Sequence, residues 1–289
     1  MFIIVFTPTY NRAELLPRLF DSLCAQTRKG FEWLIVDDGS TDDTQEVVET
    51  FKNCDFAGFP IRYIKKENGG KHTAINLGVQ EAQGELFFIA DSDDTLPPDS
   101  IATVVKHYIP IQNNNCFAGI CGYMKHSNGN FIGHPLLDID ATSIEMRGKY
   151  NIKGDMMEVF KTTVLKEFPF PEISNERFCP EALVWNRIAQ KYKLRIFAKA
   201  IYCRDYLEGG LTDNIVRIRM ISPIATMMTY AEMTEYKGVL LKNKIRAAIN
   251  YWRFWFCKKP GSTAPHISAK WLWAMPLGWL MHMRDLKNI

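Results

Sequence analysis

The chain has 289 residues, 47% of them hydrophobic and 23% charged, with a net charge of +3. That composition excludes disorder and allows one large domain, or a domain with an appendage, around a substantial core. The charge is too mild for nucleic-acid binding. The seven cysteines form no Cys-x-x-Cys pair, which argues against zinc and fits reduced thiols in the cytosol.

Residues 1–6 are apolar, but Thr7, Pro8, Asn11 and Arg12 follow at once. That is too short for a signal peptide, so a buried first strand over 2–7 is expected. Residues 13–24 place Leu15, Leu16, Leu19, Phe20 and Leu23 at helical spacing. A second strand over 31–36 ends in Asp37-Asp38-Gly39-Ser40, and Ser40 or Thr41 can cap the next helix. A third strand is expected over 61–64, a helix over 71–83 and a fourth strand over 85–90. Strands separated by single helices imply right-handed crossovers and a mainly parallel sheet covered by helices. Ligands of such sheets bind beyond the carboxyl ends of the strands. The polar clusters at 7–12, 37–42, 68–71 and 91–94 all fall there.

The second half is less regular. A helix is expected from Pro97-Pro98-Asp99 through 108, and a hairpin of 117–125 with 130–132 around Ser127-Asn128-Gly129. A helix over 179–192 and a strand over 194–202 follow. After about 215 the pattern turns helical and aromatic. The expected organisation is an α/β domain over 1–214 and a helical, aromatic-rich C-terminal extension over 215–289. No apolar run is long enough to span a membrane.

Asp91-Ser92-Asp93-Asp94 directly follows an apolar strand. Carboxylates at i and i+2 on a tight turn repel unless a cation intervenes, and hard oxygens suit Mg²⁺ or Mn²⁺. A solvated acidic turn is the plain alternative. Asp38 could accept from a base or ribose, or the segment could be an Asx turn capping a helix. Asn68-Gly69-Gly70-Lys71 lets backbone approach a ligand and brings a cation suited to phosphate.

Together, Thr7-Pro8-Thr9-Tyr10-Asn11-Arg12, Val36-Asp37-Asp38-Gly39-Ser40-Thr41-Asp42, Asn68-Gly69-Gly70-Lys71-His72-Thr73-Ala74-Ile75-Asn76 and Asp91-Ser92-Asp93-Asp94 carry a resemblance. In order and spacing the chain resembles the family 2 inverting glycosyltransferases, which have the GT-A (nucleotide-diphospho-sugar transferase) fold. The resemblance covers about residues 1–210. It implies that Thr7, Thr9 and Tyr10 line a nucleoside pocket with Arg12 close by, and that Asp38 binds base or ribose. Lys71 would lie near base or diphosphate, and Asp91 would contact ribose or metal. Asp93 matches the last acidic residue of the family's DxD motif, and so the main metal ligand, Mg²⁺ or Mn²⁺.

Family members usually carry a Glu-Asp pair at a later helix start. Here Glu181 matches the Glu, while Ala182 stands where the Asp would be. Glu181 is the expected catalytic base, with helix-dipole stabilisation as its structural alternative. Asp155 and Glu158 are further acceptor or base candidates. Tyr206-Leu207-Glu208-Gly209-Gly210-Leu211-Thr212 matches a closing loop, or is a glycine-marked turn. The QxxRW signature of processive synthases is absent, which favours transfer of one sugar over polymerisation.

The implied partners are a nucleotide-sugar donor, with UDP the favoured nucleotide, and a glycan or lipid-linked acceptor, without nucleic acid. The expected location is cytoplasmic, at the inner face of the cell membrane. Trp252, Trp255, Trp271, Trp273 and Trp279 lie among Lys and Arg. They suit packing on the catalytic domain, peripheral membrane contact or a dimer interface. Two rival functions stand beside the transferase: an inactive sugar-nucleotide-binding module, motivated by Ala182, and a nucleotidyltransferase. The latter would be expected to carry a glycine-rich basic loop after the first strand.

Overall fold

The computed structural model describes residues 2–204 and 214–288. The residues 206–212, read above as a closing loop, lie outside the described residues. By contacts the chain divides into two units: 1–169 with 191–205, and 170–190 with 206–289.

The first unit holds strands β1 (Ile3–Thr9), β2 (Phe31–Asp37), β3 (Ile61–Lys65), β4 (Leu86–Ile89), β5 (Phe117–Lys125), β6 (Ile139–Ala141), β7 (Met156–Lys161) and β8 (Lys193–Cys203). They form one sheet in the order β3-β2-β1-β4-β7-β5-β8-β6. β1 to β4 are mutually parallel, and β5 runs parallel to β8. β7 and β6 run against their neighbours. The mainly parallel α/β sheet expected from the sequence is therefore present, with two reversed strands. Helices α1 (Leu16–Cys24), α2 (Thr44–Lys52), α3 (Lys71–Glu81), α4 (Ser100–Tyr108), α5 (Ser143–Gly148) and α6 (Thr162–Glu167) belong to this unit.

Register positions the site. Thr9 pairs with Asp37, and Asp37 with Lys65, so three strands end on one line and their loops emerge side by side. Near-continuous burial of β1 and β2 reflects a sheet covered on both faces. One face packs against a cluster that includes Leu19, Trp33, Phe88 and Val104. On the other, α3 approaches Phe6 so closely that a Cβ on Gly78 would lie 2.6 Å from the ring's Cδ2.

Three expectations change in detail. Helix α1 starts at Leu16, later than the predicted 13. The N–H groups of Asn11, Arg12 and Ala13 donate to Ser40, Thr44 and Asp42 side chains, and Asn11 has φ 51°, so this stretch is a loop. The predicted hairpin keeps its turn, with His126 N–H donating to Asn130 O at 2.8 Å. Its second arm makes only the isolated bridge Lys125–Phe131, because the edges of β5 are taken by β7 and β8. Strand β7 was not predicted. Met156, Met157, Val159 and Phe160 are buried, but the nearby Asp155 and Glu158 drew the reading toward a site.

The second unit contains α7 (Glu181–Ala189), α8 (Ile215–Ile221), α9 (Pro223–Glu235), α10 (Leu241–Trp255) and α11 (Met275–Asn288), with a 3-10 helix Ala269–Ala274. The aromatics of the tail divide into two sets. Tyr251, Trp252, Phe254 and Trp271 are buried in a cluster with Met227 and Ala248. Trp273 and Trp279 are exposed. Arg187 of α7 donates to Glu232 of α9 at 2.6 and 2.9 Å, tying these helices together. Among the described residues no helix is long and apolar enough to cross a membrane.

Gly78→Ala is expected to force α3 off β1 and lower stability by about 3 kcal/mol, read as a fall in urea midpoint. An unchanged midpoint would show that the Phe6 ring yields freely.

Candidate active site

Backbone and side-chain hydrogen bonds sew the four strand-end loops of the first unit together. The first seam joins the β1 and β2 loops. Asn11 N–H donates to Ser40 Oγ at 2.8 Å, and Thr41 N–H donates to Asn11 Oδ1 at 2.8 Å. Asp42 accepts from Ala13 N–H at 3.1 Å and from Thr44 Oγ1 at 2.6 Å. These hydrogen bonds hold its carboxyl below the usual carboxylate range against the opposing effect of burial.

The second seam joins the β2 and β3 loops and centres on Asp38, which is buried. Asp38 Oδ1 accepts from Lys66 Nζ at 2.8 Å and Gly69 N–H at 2.9 Å. Oδ2 accepts from Gly70 N–H at 2.7 Å, and the Asp38 carbonyl accepts from Asn68 Nδ2 at 2.8 Å. A carboxylate offers about four acceptor positions, so Oδ2 has capacity for one more donor. Gly70 sits at φ 96°, a conformation that side chains resist, and the chain enters α3 directly after it. Beneath this seam Asp37 is wholly buried and accepts from Ser40 N–H at 2.7 Å and from the Tyr63 hydroxyl.

The third seam joins the α3 start to the turn after β4. Lys71 Nζ lies 2.7 and 2.9 Å from the two oxygens of Asp91. That turn is anchored from behind by Tyr202 of β8, whose buried hydroxyl accepts from Asp91 N–H at 2.8 Å and bonds the Asp94 carboxylate. Burial, then the charges of Asp91 and Asp93, push the Asp94 carboxyl up to about 7. Asp93 is half-buried and makes no hydrogen bond or ion pair among the described residues.

The chemistry of these donors fits a hard divalent cation. The turn offers three carboxylates, and among the described residues Asp93 has no ion-pair partner. Among the described residues no group of three or more His, Cys, Asp or Glu is arranged for a metal. A site with one or two carboxylates is the pattern of Mg²⁺-type ions that share substrate phosphates and water.

Of the sequence-predicted residues, Thr7, Thr9, Tyr10, Arg12, Asp38, Lys71, Asp91 and Asp93 all lie in the first unit. They are not equally placed. Thr7 is wholly buried, and its hydroxyl accepts from the Trp33 indole at 2.9 Å, within the core. Thr9, at the end of β1, is buried with its Oγ1 unpartnered. Tyr10 is 47% exposed. Glu181 opens α7, in the second unit, behind Pro180. Asp155 accepts from Arg204 Nη1 at 3.2 Å.

Sequence reasoning missed Lys66 and Tyr202. Lys66 bonds Asp38, the Glu67 carbonyl at 2.6 Å and Thr73 Oγ1 at 2.8 Å, so it clamps the loop before α3. Its signal was the basic pair Lys65-Lys66 at a strand end. Tyr202 carried none, since a Tyr in an apolar strand is ordinarily core.

The pattern described as Glycosyl transferase family 2 matches residues 4–163. A protein named as an uncharacterized glycosyltransferase of Rickettsia felis is 29% identical over 226 residues, 78% of this chain and 34% of that one. The chain therefore spans about a third of the length of such relatives. TarS 1–349 of S. aureus, solved with UDP, superposes with a TM-score of 0.60 at 20% identity, covering 90% of this chain and 73% of that one. The mannosyltransferase PcManGT of Pyrobaculum calidifontis, solved with GDP-Man and Mn²⁺, gives 0.56 at 18% identity, covering 96% and 73%. At these identities the two structures establish the GT-A fold alone.

Asp38→Asn replaces one acceptor oxygen with an NH2 donor that faces backbone N–H groups, and it leaves Lys66 without its charged partner. It is expected to cost roughly 3 kcal/mol and to speed hydrogen exchange at Gly69 and Gly70. Unaltered exchange there would remove Asp38 as the organiser of this loop.

Proposed function

The chain belongs to glycosyl transferase family 2, and from that footing we propose that it moves one sugar from a UDP-linked donor to a glycan or lipid-linked acceptor. Transfer inverts the anomeric carbon and depends on Mg²⁺ or Mn²⁺. The observation that carries the reading is that hydrogen bonds and an ion pair join Asn11 to Ser40, Asp38 to Gly70, and Lys71 to Asp91 across neighbouring loops. It supports the reading by gathering carboxylates, glycine N–H groups and a lysine at one edge of the sheet, groups suited to a base, a diphosphate and a cation. Uridine is favoured because TarS, which shares the fold, was solved with UDP.

Each side chain has a task. The open acceptor position on Asp38 Oδ2 takes a ring N–H of the base, while Thr9 lines the nucleoside pocket at the end of β1. Tyr10 and Arg12 border it. Lys71, held over Asp91, sets a cation against the diphosphate. Thr7 contributes through Trp33, by fixing the end of β1. Asp93, with Asp91, would hold the divalent ion, which when bound offsets charge on the leaving diphosphate.

Glu181 takes the proton of the acceptor hydroxyl, a role that rests on the resemblance and on its place at the first position of α7. The acceptor oxygen then bonds the anomeric carbon from the face opposite the diphosphate. The carbon–oxygen bond to the diphosphate breaks, and its electron pair leaves with the nucleotide. The protein works on the cytoplasmic side, at the inner face of the membrane. The rival reading is a sugar-nucleotide-binding module without turnover, and Ala182 speaks for it.

Asp93→Asn is expected to lower turnover by about a thousandfold, on the scale of losing a principal electrostatic stabiliser, with an unchanged melting temperature. Added Mn²⁺ should raise the melting temperature of the parent chain and not of the variant. Full activity in the variant would take the metal away from Asp93. Glu181→Gln should reduce kcat roughly a hundredfold or more with donor affinity retained; equal losses in both would make Glu181 structural. Absence of nucleotide release from every common sugar nucleotide, with binding intact, would establish the inactive module instead.

A further inference from the structure

The second unit presents an outward surface that its own packing does not use. Helix α11 is locked to α10 on one side. A Cβ on Gly278 would meet Arg253 N at 2.7 Å, so the two backbones touch there. His282 and Asp285 are buried on the same side, and Asp285 Oδ1 accepts from Arg253 Nη2 at 2.6 Å. These contacts fix which residues point away. They are apolar: Leu277, Trp279, Leu280, Met283 and Leu286 are 38–57% exposed, and Trp273 of the preceding 3-10 helix is 52% exposed. Trp279, Met283 and Leu286 follow at i, i+4 and i+7, which makes one stripe.

The polar residues of this surface are all of one sign. Arg284 and Lys287 are exposed, and the one carboxylate of α11, Asp285, is turned inward and neutralised. The bias extends over the segment. Residues 215–289 contain twelve Lys or Arg against three Asp or Glu, a charge of +9, so with +3 for the whole chain residues 1–214 carry −6. The three acids are each paired: Glu232 with Arg187, Glu235 with Lys270 and Asp285 with Arg253.

We propose that the outward face of α11 and the 3-10 helix before it docks on an anionic lipid surface, with its Trp and Leu side chains in the interface and Arg284 and Lys287 among the head groups. Tryptophan, aliphatic side chains and cations on one short helix face match that boundary. A second copy fits poorly, because two such faces would bring like charge together. Nucleic acid fits the charge but not the Leu and Met side chains, which offer bases no stacking surface. The inference goes beyond the transferase reading and needs neither donor nor metal.

The test is co-sedimentation of the full chain with vesicles of phosphatidylglycerol and phosphatidylcholine in equal parts, beside vesicles of phosphatidylcholine alone. Binding is expected to the first and not the second, and to weaken as salt is raised. Trp273→Ser, Trp279→Ser and Leu280→Ser combined should weaken it about a hundredfold. Arg284→Gln and Lys287→Gln should each weaken it about fivefold. These side chains are exposed, so the variants should melt as the parent does and release nucleotide as it does. No sedimentation with either vesicle overturns the proposal. So does a dimer in vesicle-free solution that the triple substitution dissolves, which would assign the face to a second copy. Loss of nucleotide release alone would count against the catalytic reading and not against this one.

Discussion

A single buried carboxylate organises the candidate site. Asp38 gathers Lys66, Gly69 and Gly70 onto its two oxygens, and its carbonyl holds Asn68. Charge-assisted bonds of this kind are the strong ones. Through them the β2 and β3 loops become one object, and the start of α3 is aimed so that Lys71 meets Asp91. The glycines are necessary to the clamp: Gly70 adopts φ 96°, and a Cβ on Gly69 would lie 2.7 Å from Thr73 Oγ1. The whole arrangement assumes the parallel register that ends β1, β2 and β3 on one line.

Much of this was legible because it is local. Apolar runs ending in polar clusters mark parallel strands and the edge at which ligands bind, and all four clusters lie at that edge. Spacing could not reveal how the clusters bind one another. Asn11 reads as a loop residue, yet it accepts from Thr41 and donates to Ser40, some thirty positions away. Thr7 and Thr9 look alike in sequence, and both face the same side of β1. Depth separates them: Thr7 meets Trp33 in the core, while Thr9 reaches the strand end with its hydroxyl unpartnered. Tyr202 was hidden for the same reason, since nothing in an apolar strand announces that one hydroxyl supports an acidic turn 111 residues earlier. Strand β7 escaped because reversed strands in a mixed sheet break the strand–helix alternation.

The C-terminal helices show the opposite balance. Their aromatic content was plain in the sequence, but its division was not. Trp252 and Trp271 close a core, while Trp273 and Trp279 lie outside it. For Trp279 the glycine contact at Gly278 decides the matter, because it sets the rotation of α11 about its own axis.

The uneven distribution of charge along the chain has a practical corollary. An isoelectric point near 8.4 averages an acidic stretch of −6 with a basic stretch of +9 and describes neither. Ion-exchange resins respond to local patches more than to totals. The same preparation should therefore be retained by both anion- and cation-exchange columns at neutral pH, and nicking the chain near residue 214 would yield fragments that migrate toward opposite electrodes.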